Sequence, residues 1–140
     1  MAAAVIVDTN VVVAGLLTAR ADSPVARVLD GMLAAAFPYV LSEALLGEYG
    51  SVLSRPALRK CHGLSTAEVD VILLALARHA IVLKPGRSAP APDPGDQHLW
   101  DLLAARKDLL LISGDKRLQG DVAMGPRVLS AADFVSNGFF

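Results

Sequence analysis

The chain has 140 residues, of which 54% are hydrophobic and 19% charged, and its net charge is −1. That length suits one domain spanning residues 1–140 with a real core; no apolar stretch reaches the roughly 20 residues of a membrane span; and the charge lacks the basic footprint of a nucleic-acid binder unless a cation supplies it. The single cysteine, Cys61, excludes an internal disulfide and a zinc framework, so a reducing, cytoplasmic setting is the default. The apolar excess suggests strands covered on both faces and an interface between two copies of the chain.

The start, "MAAAVIVD", lacks a basic n-region and a cleavage site and reads as a first strand rather than a signal peptide. Its apolar run, "AVIV", ends at Asp8, a carboxylate with uncharged residues on both sides. Asn10 suits the N-cap of the next helix, which leaves Asp8 without a structural task; Thr9 either bonds a neighbouring carboxylate or fills the turn. "SPVARVLDGMLAA" reads as a helix with Ser23 as N-cap, Pro24 in first position and Val25, Val28, Leu29 and Met32 on one stripe. "PYVLS" is a short strand, and "SEALLGEY" begins a helix at Ser42. Glu43 is explained there by the helix dipole. Glu48, roughly 140° further round, has no such explanation.

Arg55, Arg59 and Lys60 form a basic cluster that either is solvated or meets phosphates. Cys61 and His62 lack partners at metal-ligand spacing and read as a solvated loop. "STAEVDVILLALARH" is a helix opened by a Ser65/Glu68 capping box, followed by the strand "AIVLK". Lys84 to Asp96 is a long Pro- and Gly-rich loop, and long loops in compact domains are often functional. The helix "DQHLWDLLAARK" then presents Leu99, Leu102, Leu103 and Arg106. Asp96 serves as its N-cap, as a ligand, or as both, with Asp93 as the alternative acid. Asp101, roughly 140° away on the helix, is solvated, sits beside the ligands, or is itself a metal ligand. His79 and His98 carry no evident chemistry. Trp100 reads as packing, and the terminal "FVSNGFF" as packing or dimer surface. "DLLLIS" is a strand leading through Ser113 and Gly114 to Asp115, in "SGDKRL", where Lys116 and Arg117 could meet phosphates; "RVLS" is the last strand.

Strands alternating with helices imply parallel pairing through right-handed crossovers, hence a doubly wound α/β sheet. Ligands of such sheets bind beyond the carboxyl ends of the strands, which is where Asp8, Glu48, Asp96 and Asp115 fall. Carboxylates gathered in one place repel each other and persist only with protons or cations among them. An all-oxygen donor set selects a hard cation, Mg2+ or Mn2+, and metals held this way activate water and stabilise charge at a phosphoryl centre.

"VIVDTNVVV", "SEALLGEY", "DPGDQHLWDLLAA" and "LLLISGDKRL", in this order and spacing, resemble the PIN-domain nucleases, and within them the VapC-like toxin components of toxin–antitoxin systems. The resemblance runs over nearly the whole chain. It implies a three-layer α/β/α sandwich with a five-stranded parallel sheet of order 3-2-1-4-5, Mg2+- or Mn2+-dependent cleavage of RNA, and frequent homodimers. By the same resemblance Asp8, Glu48, Asp96 and Asp115 match the metal-binding acids and Asp101 a further acid. Thr9, Asn10 and Ser113 would support them, and Lys116, Arg117 and Arg55 would meet RNA phosphates. A cognate antitoxin protein is implied as partner. The chain departs at Gly47, where relatives often carry another acid.

Two other α/β chemistries fit less well. A haloacid-dehalogenase-type phosphatase wants an acid two residues after the first, where this chain has Asn10. A phospho-receiver wants an aspartate after its third strand, and "AIVLKPGR" has none. The remaining alternative is a PIN fold without activity that binds protein or RNA.

Overall fold

A computed structural model describes residues 4–138; the last two residues of "FVSNGFF" lie outside that range. The strands are β1 (Val5–Val7), β2 (Val40–Leu41), β3 (Ile81–Val82), β4 (Leu110–Ile112) and β5 (Val128–Leu129). The helices are α1 (Thr9–Leu17), α2 (Pro24–Leu33), α3 (Glu43–Leu53), α4 (Pro56–His62), α5 (Thr66–His79), α6 (Gln97–Ala104), α7 (Lys116–Gln119) and α8 (Ala131–Ser136). No helix among the described residues is long and apolar enough to cross a membrane.

All pairing between strands is parallel, as the alternation of elements predicts. β4 lies between β1 and β5 in a three-stranded sheet, with Val5, Ile6 and Val7 opposite Leu110, Leu111 and Ile112. β2 and β3 pair separately. A single bridge, Val5 to Tyr39, and a 3.1 Å bond from Val5 N–H to the Pro38 carbonyl join the two sheets. Regular pairing thus stops short of the continuous five-stranded sheet that the resemblance implies, because the short β2 segment meets β1 through one bridge rather than a ladder.

β1 is completely buried, as a continuous apolar run requires. β3 departs from that expectation: Ile81 is 39% and Val82 62% exposed, since β3 has a single strand neighbour and no element covering it fully. The main core joins β1 and β4 to Tyr39, Leu45, Tyr49, Trp100, Leu102 and Phe134. Fully burying an aliphatic or phenyl side chain such as Ile6, Leu45 or Phe134 stabilises by about 1.5–3 kcal/mol.

Several helix starts follow their sequence signals. Ser23, Ser42 and Ser130 accept from backbone N–H groups of the first turn, and both halves of the Ser65/Glu68 capping box are formed. α1 and α2 approach closely at Gly15, where a Cβ atom would lie 2.6 Å from the Val25 carbonyl oxygen. Two expectations need correction. Cys61 and His62 lie in α4, not in a loop, and His62 ends it: Nδ1 accepts from Leu64 N–H, and Nε2 meets the Leu53 carbonyl at 2.9 Å. The N-cap of α1 is Asp8, not Asn10, because the backbone is still extended at Asp8 and helical from Thr9.

Candidate active site

β1 delivers Asp8 to the carboxyl edge of the sheet, with its N–H bonded to the Ile112 carbonyl of β4 at 2.9 Å. The residue is 5% exposed and stands at an N-cap, yet its carboxylate makes no capping bond to α1. Instead Oδ2 accepts from Ser113 Oγ at 2.7 Å. Burial raises the Asp8 pKa above its ordinary value, the Ser113 bond opposes that, and the negative charges of Glu48 and Asp115 raise it further. The side chain is therefore positioned by the protein but not neutralised by it.

The other three acids come from separate elements. Glu48 projects from α3; Oε1 accepts from Thr9 Oγ1, and Oε2 lies 3.0 Å from His98 Nε2. Glu43, in the first turn of the same helix, is exposed. Asp96 is half-buried at the start of α6 and makes no side-chain capping bond. Its neighbour Asp93 takes the local capping task, accepting from Gly95 N–H at 2.8 Å. Partial burial raises the Asp96 pKa, and the charges of Asp8, Asp93 and Asp115 add to that, with Arg117 opposing.

Asp115 lies just past β4 and caps α7. Arg117 bonds it from the backbone and through the guanidinium, with Nη2 3.0 Å from Oδ2, and holds its carboxyl below the ordinary value. Arg117 also reaches Asp93 at 3.4 Å. Ser113 ties two of the acids together: its hydroxyl bonds Asp8 while accepting Asp115 N–H at 3.1 Å. Asp8 thus feels the charges of Glu48 and Asp115, and Asp96 those of Asp8 and Asp115, despite their separation in sequence.

Asp101 fastens the 84–96 loop, accepting from Ser88 N–H and Oγ and from Gln97 Nε2 at 2.8–2.9 Å; these bonds lower its pKa. Asn10 is exposed on α1 and, among the described residues, bonds none of the acids. Lys116 is exposed beside Asp115, and Arg55 is exposed at the start of α4. Gly47 faces open space, with nothing within 4 Å of where a Cβ would lie. Tyr49, which the sequence offers only as a neighbour of Glu48, is fully buried and donates to the Val7 carbonyl at the base of the site. Burial holds its hydroxyl well above its ordinary pKa. His98 was passed over in the sequence because its partner Glu48 lies 50 positions away.

As placed, no three His, Cys, Asp or Glu residues among the described residues form a group that could hold a metal ion. In donor chemistry, nevertheless, four carboxylates without thiolates fit a hard divalent cation. Burial raises the pKa of Asp8 and of Asp96, and neighbouring carboxylates add to the rise.

The model of the PIN domain matches residues 4–117, a span containing all four acids. The chain belongs to the PIN-domain family. Comparisons with curated proteins and with solved structures find no match. PIN domains are generally nucleases, typically use divalent metals, and act on nucleic acid. In this PIN domain Asp8 and Asp115 stand just past the carboxyl ends of the paired strands β1 and β4.

Proposed function

We propose that this PIN domain is an Mg2+- or Mn2+-dependent endoribonuclease that hydrolyses RNA phosphodiester bonds and serves as the toxin of a toxin–antitoxin pair in the cytoplasm. The observation that carries the reading is Asp8: a buried carboxylate, oriented by Ser113, that caps nothing and is surrounded by further negative charge. Asp8, Glu48, Asp96 and Asp115 would hold the ion, which when bound supplies an activated water and charge neutralisation at the scissile phosphate.

The chain's own residues do the rest. Ser113 donates to the Asp8 carboxylate and Thr9 to one oxygen of the Glu48 carboxylate, which limits the ordering left to do when the ion arrives. Asp96 keeps its carboxylate free of the helix start because Asp93 caps that turn. Lys116, Arg117 and Arg55 are exposed and suited to phosphates, contacts that position RNA without reading its sequence.

The strand order 3-2-1-4-5 and the three-layer sandwich belong to the same reading, with the Val5–Tyr39 bridge as the seam between the two sheets. A homodimer is supported by apolar side chains left exposed on α5 and β3, Val71 at 67%, Leu74 at 61% and Val82 at 62%. A cognate antitoxin rests on the resemblance to VapC-like toxins.

The test is cleavage of a single-stranded RNA by the purified chain with Mn2+, with chelator, and with Asp8→Asn. Cleavage that needs the ion and disappears in Asp8→Asn supports the reading. Full activity in Asp8→Asn refutes the assignment. A folded wild-type chain that cleaves nothing with the ion favours the inactive binding module.

A further inference from the structure

The carboxylate of Glu48 is gripped at both oxygens by side chains from two other helices. Thr9, on α1, donates to Oε1; His98, on α6, meets Oε2 at 3.0 Å. Toward an ionised carboxylate only a nitrogen bearing hydrogen can bond, so Nε2 carries the proton. The other ring nitrogen, Nδ1, is buried and meets no hydrogen-bond partner among the described residues. With the proton on Nε2, Nδ1 is left as a bare acceptor, and under-satisfied buried acceptors are better tolerated than orphaned N–H groups. The surroundings therefore select one tautomer, the one that donates to Glu48.

We infer that His98 is a positioning residue which, together with Thr9, fixes the Glu48 carboxylate toward Asp8. The inference rests on the metal-dependent reading above. Glutamate on a helix has three rotatable side-chain bonds, and one hydrogen bond leaves the carboxylate free to pivot. Two bonds, from α1 and α6, remove that freedom. Groups that orient a ligating carboxylate are worth about 10- to 100-fold in metal affinity or activity when lost.

A rival role comes from the same side chain. His98 also lines two adjoining cavities, of about 530 and 460 Å³, and could act by touching RNA there. The two roles separate experimentally. Calorimetric Mn2+ titration of the metal-free protein is combined with cleavage kinetics for wild type, His98→Ala, His98→Leu and His98→Gln. His98→Ala and His98→Leu should weaken Mn2+ binding about 10- to 100-fold and lower kcat while KM stays unchanged. His98→Gln, whose amide N–H falls near the position of Nε2, should restore most of the affinity. His98→Leu fills the imidazole's space without a donor, so the comparison with His98→Gln stands even if the alanine variant unfolds. Wild-type Mn2+ affinity in His98→Leu overturns the inference, as does a raised KM with affinity unchanged, or no recovery in His98→Gln. In those cases the wild type still binds Mn2+ and cleaves, and the nuclease reading survives. A wild type that neither binds Mn2+ nor cleaves removes the reading and the inference together.

Discussion

Ser113 Oγ donates to Asp8 Oδ2 across 2.7 Å, between residues 105 positions apart in the chain. The same oxygen accepts Asp115 N–H, so one buried hydroxyl sets two acids against each other. Ser113→Ala should leave the fold intact at a cost of about 1–3 kcal/mol, since a buried charged group loses a partner. Metal affinity or cleavage should fall by about 10- to 100-fold. Chemical denaturation and Mn2+ titration of the variant measure the two effects separately.

Asp8 carries a stability cost of predictable sign. Its carboxyl has a higher pKa folded than its ordinary 3.8, chiefly through burial. Such a group holds its proton more tightly in the folded state, so its favourable contribution is complete below the unfolded value and is lost as pH rises through the folded one. Asp8→Asn removes that loss. In metal-free protein the variant should melt above wild type at pH 7, and the difference should shrink as pH falls toward 4. Melting curves across this range without divalent ions check it; a variant melting below wild type at pH 7 would falsify the sign.

Divalent ions should reverse this ranking. A ligand that binds only the folded state, at about 100 times its Kd, stabilises by about 2.7 kcal/mol. Mg2+ or Mn2+ should raise the melting temperature of wild type and leave that of Asp8→Asn unmoved, with chelator cancelling the gain. Equal shifts in both proteins would place the ion elsewhere.

Asp101 should behave as a loop fastener. Its three bonds to Ser88 and Gln97 hold the segment before α6. Asp101→Ala should accelerate proteolytic nicking between Lys84 and Asp93 while lowering Mn2+ affinity far less than Asp8→Asn. Limited proteolysis alongside titration distinguishes this from direct ligation, in which the two variants would lose affinity alike.

Two glycines should respond oppositely to the same substitution. In Gly15→Ala the new methyl meets the Val25 carbonyl at 2.6 Å, and forcing α1 from α2 costs about 1–3 kcal/mol. Gly47 lies inside α3 facing open space, so Gly47→Ala should stabilise by about 0.5–1 kcal/mol. Urea unfolding of both variants measures the contrast.

What could be read in the sequence was local, or was a pattern strong enough to survive alone. The Ser65/Glu68 box and the Ser23–Pro24 start define helices in a few residues, and both form. β1 and β4 were legible because burial on both faces leaves an unbroken apolar run. α4 was not, because none of its residues is buried and it writes no stripe. The N-cap at Asp8 was misassigned to Asn10 because propensity favours either side chain, while the backbone angles that decide it are set by strand pairing to Ile112. The four acids follow from strand ends and motif order, and Thr9 and Ser113 are legible as groups that support a carboxylate, but which acid each one bonds is not. Thr9 to Glu48 spans 39 positions and Glu48 to His98 spans 50, distances over which no local periodicity connects residues.

The long interval between β1 and β4 also orders events in time. Synthesis proceeds from the N-terminus and domains fold as units, so Asp8 leaves the ribosome well before Ser113 and Asp115 exist to meet it. Until the segment after β4 is made, the carboxylate has neither its hydroxyl clamp nor its acidic companion. The hydrogen-bonded framework around Asp8 is therefore completed only by the last fifth of the polypeptide.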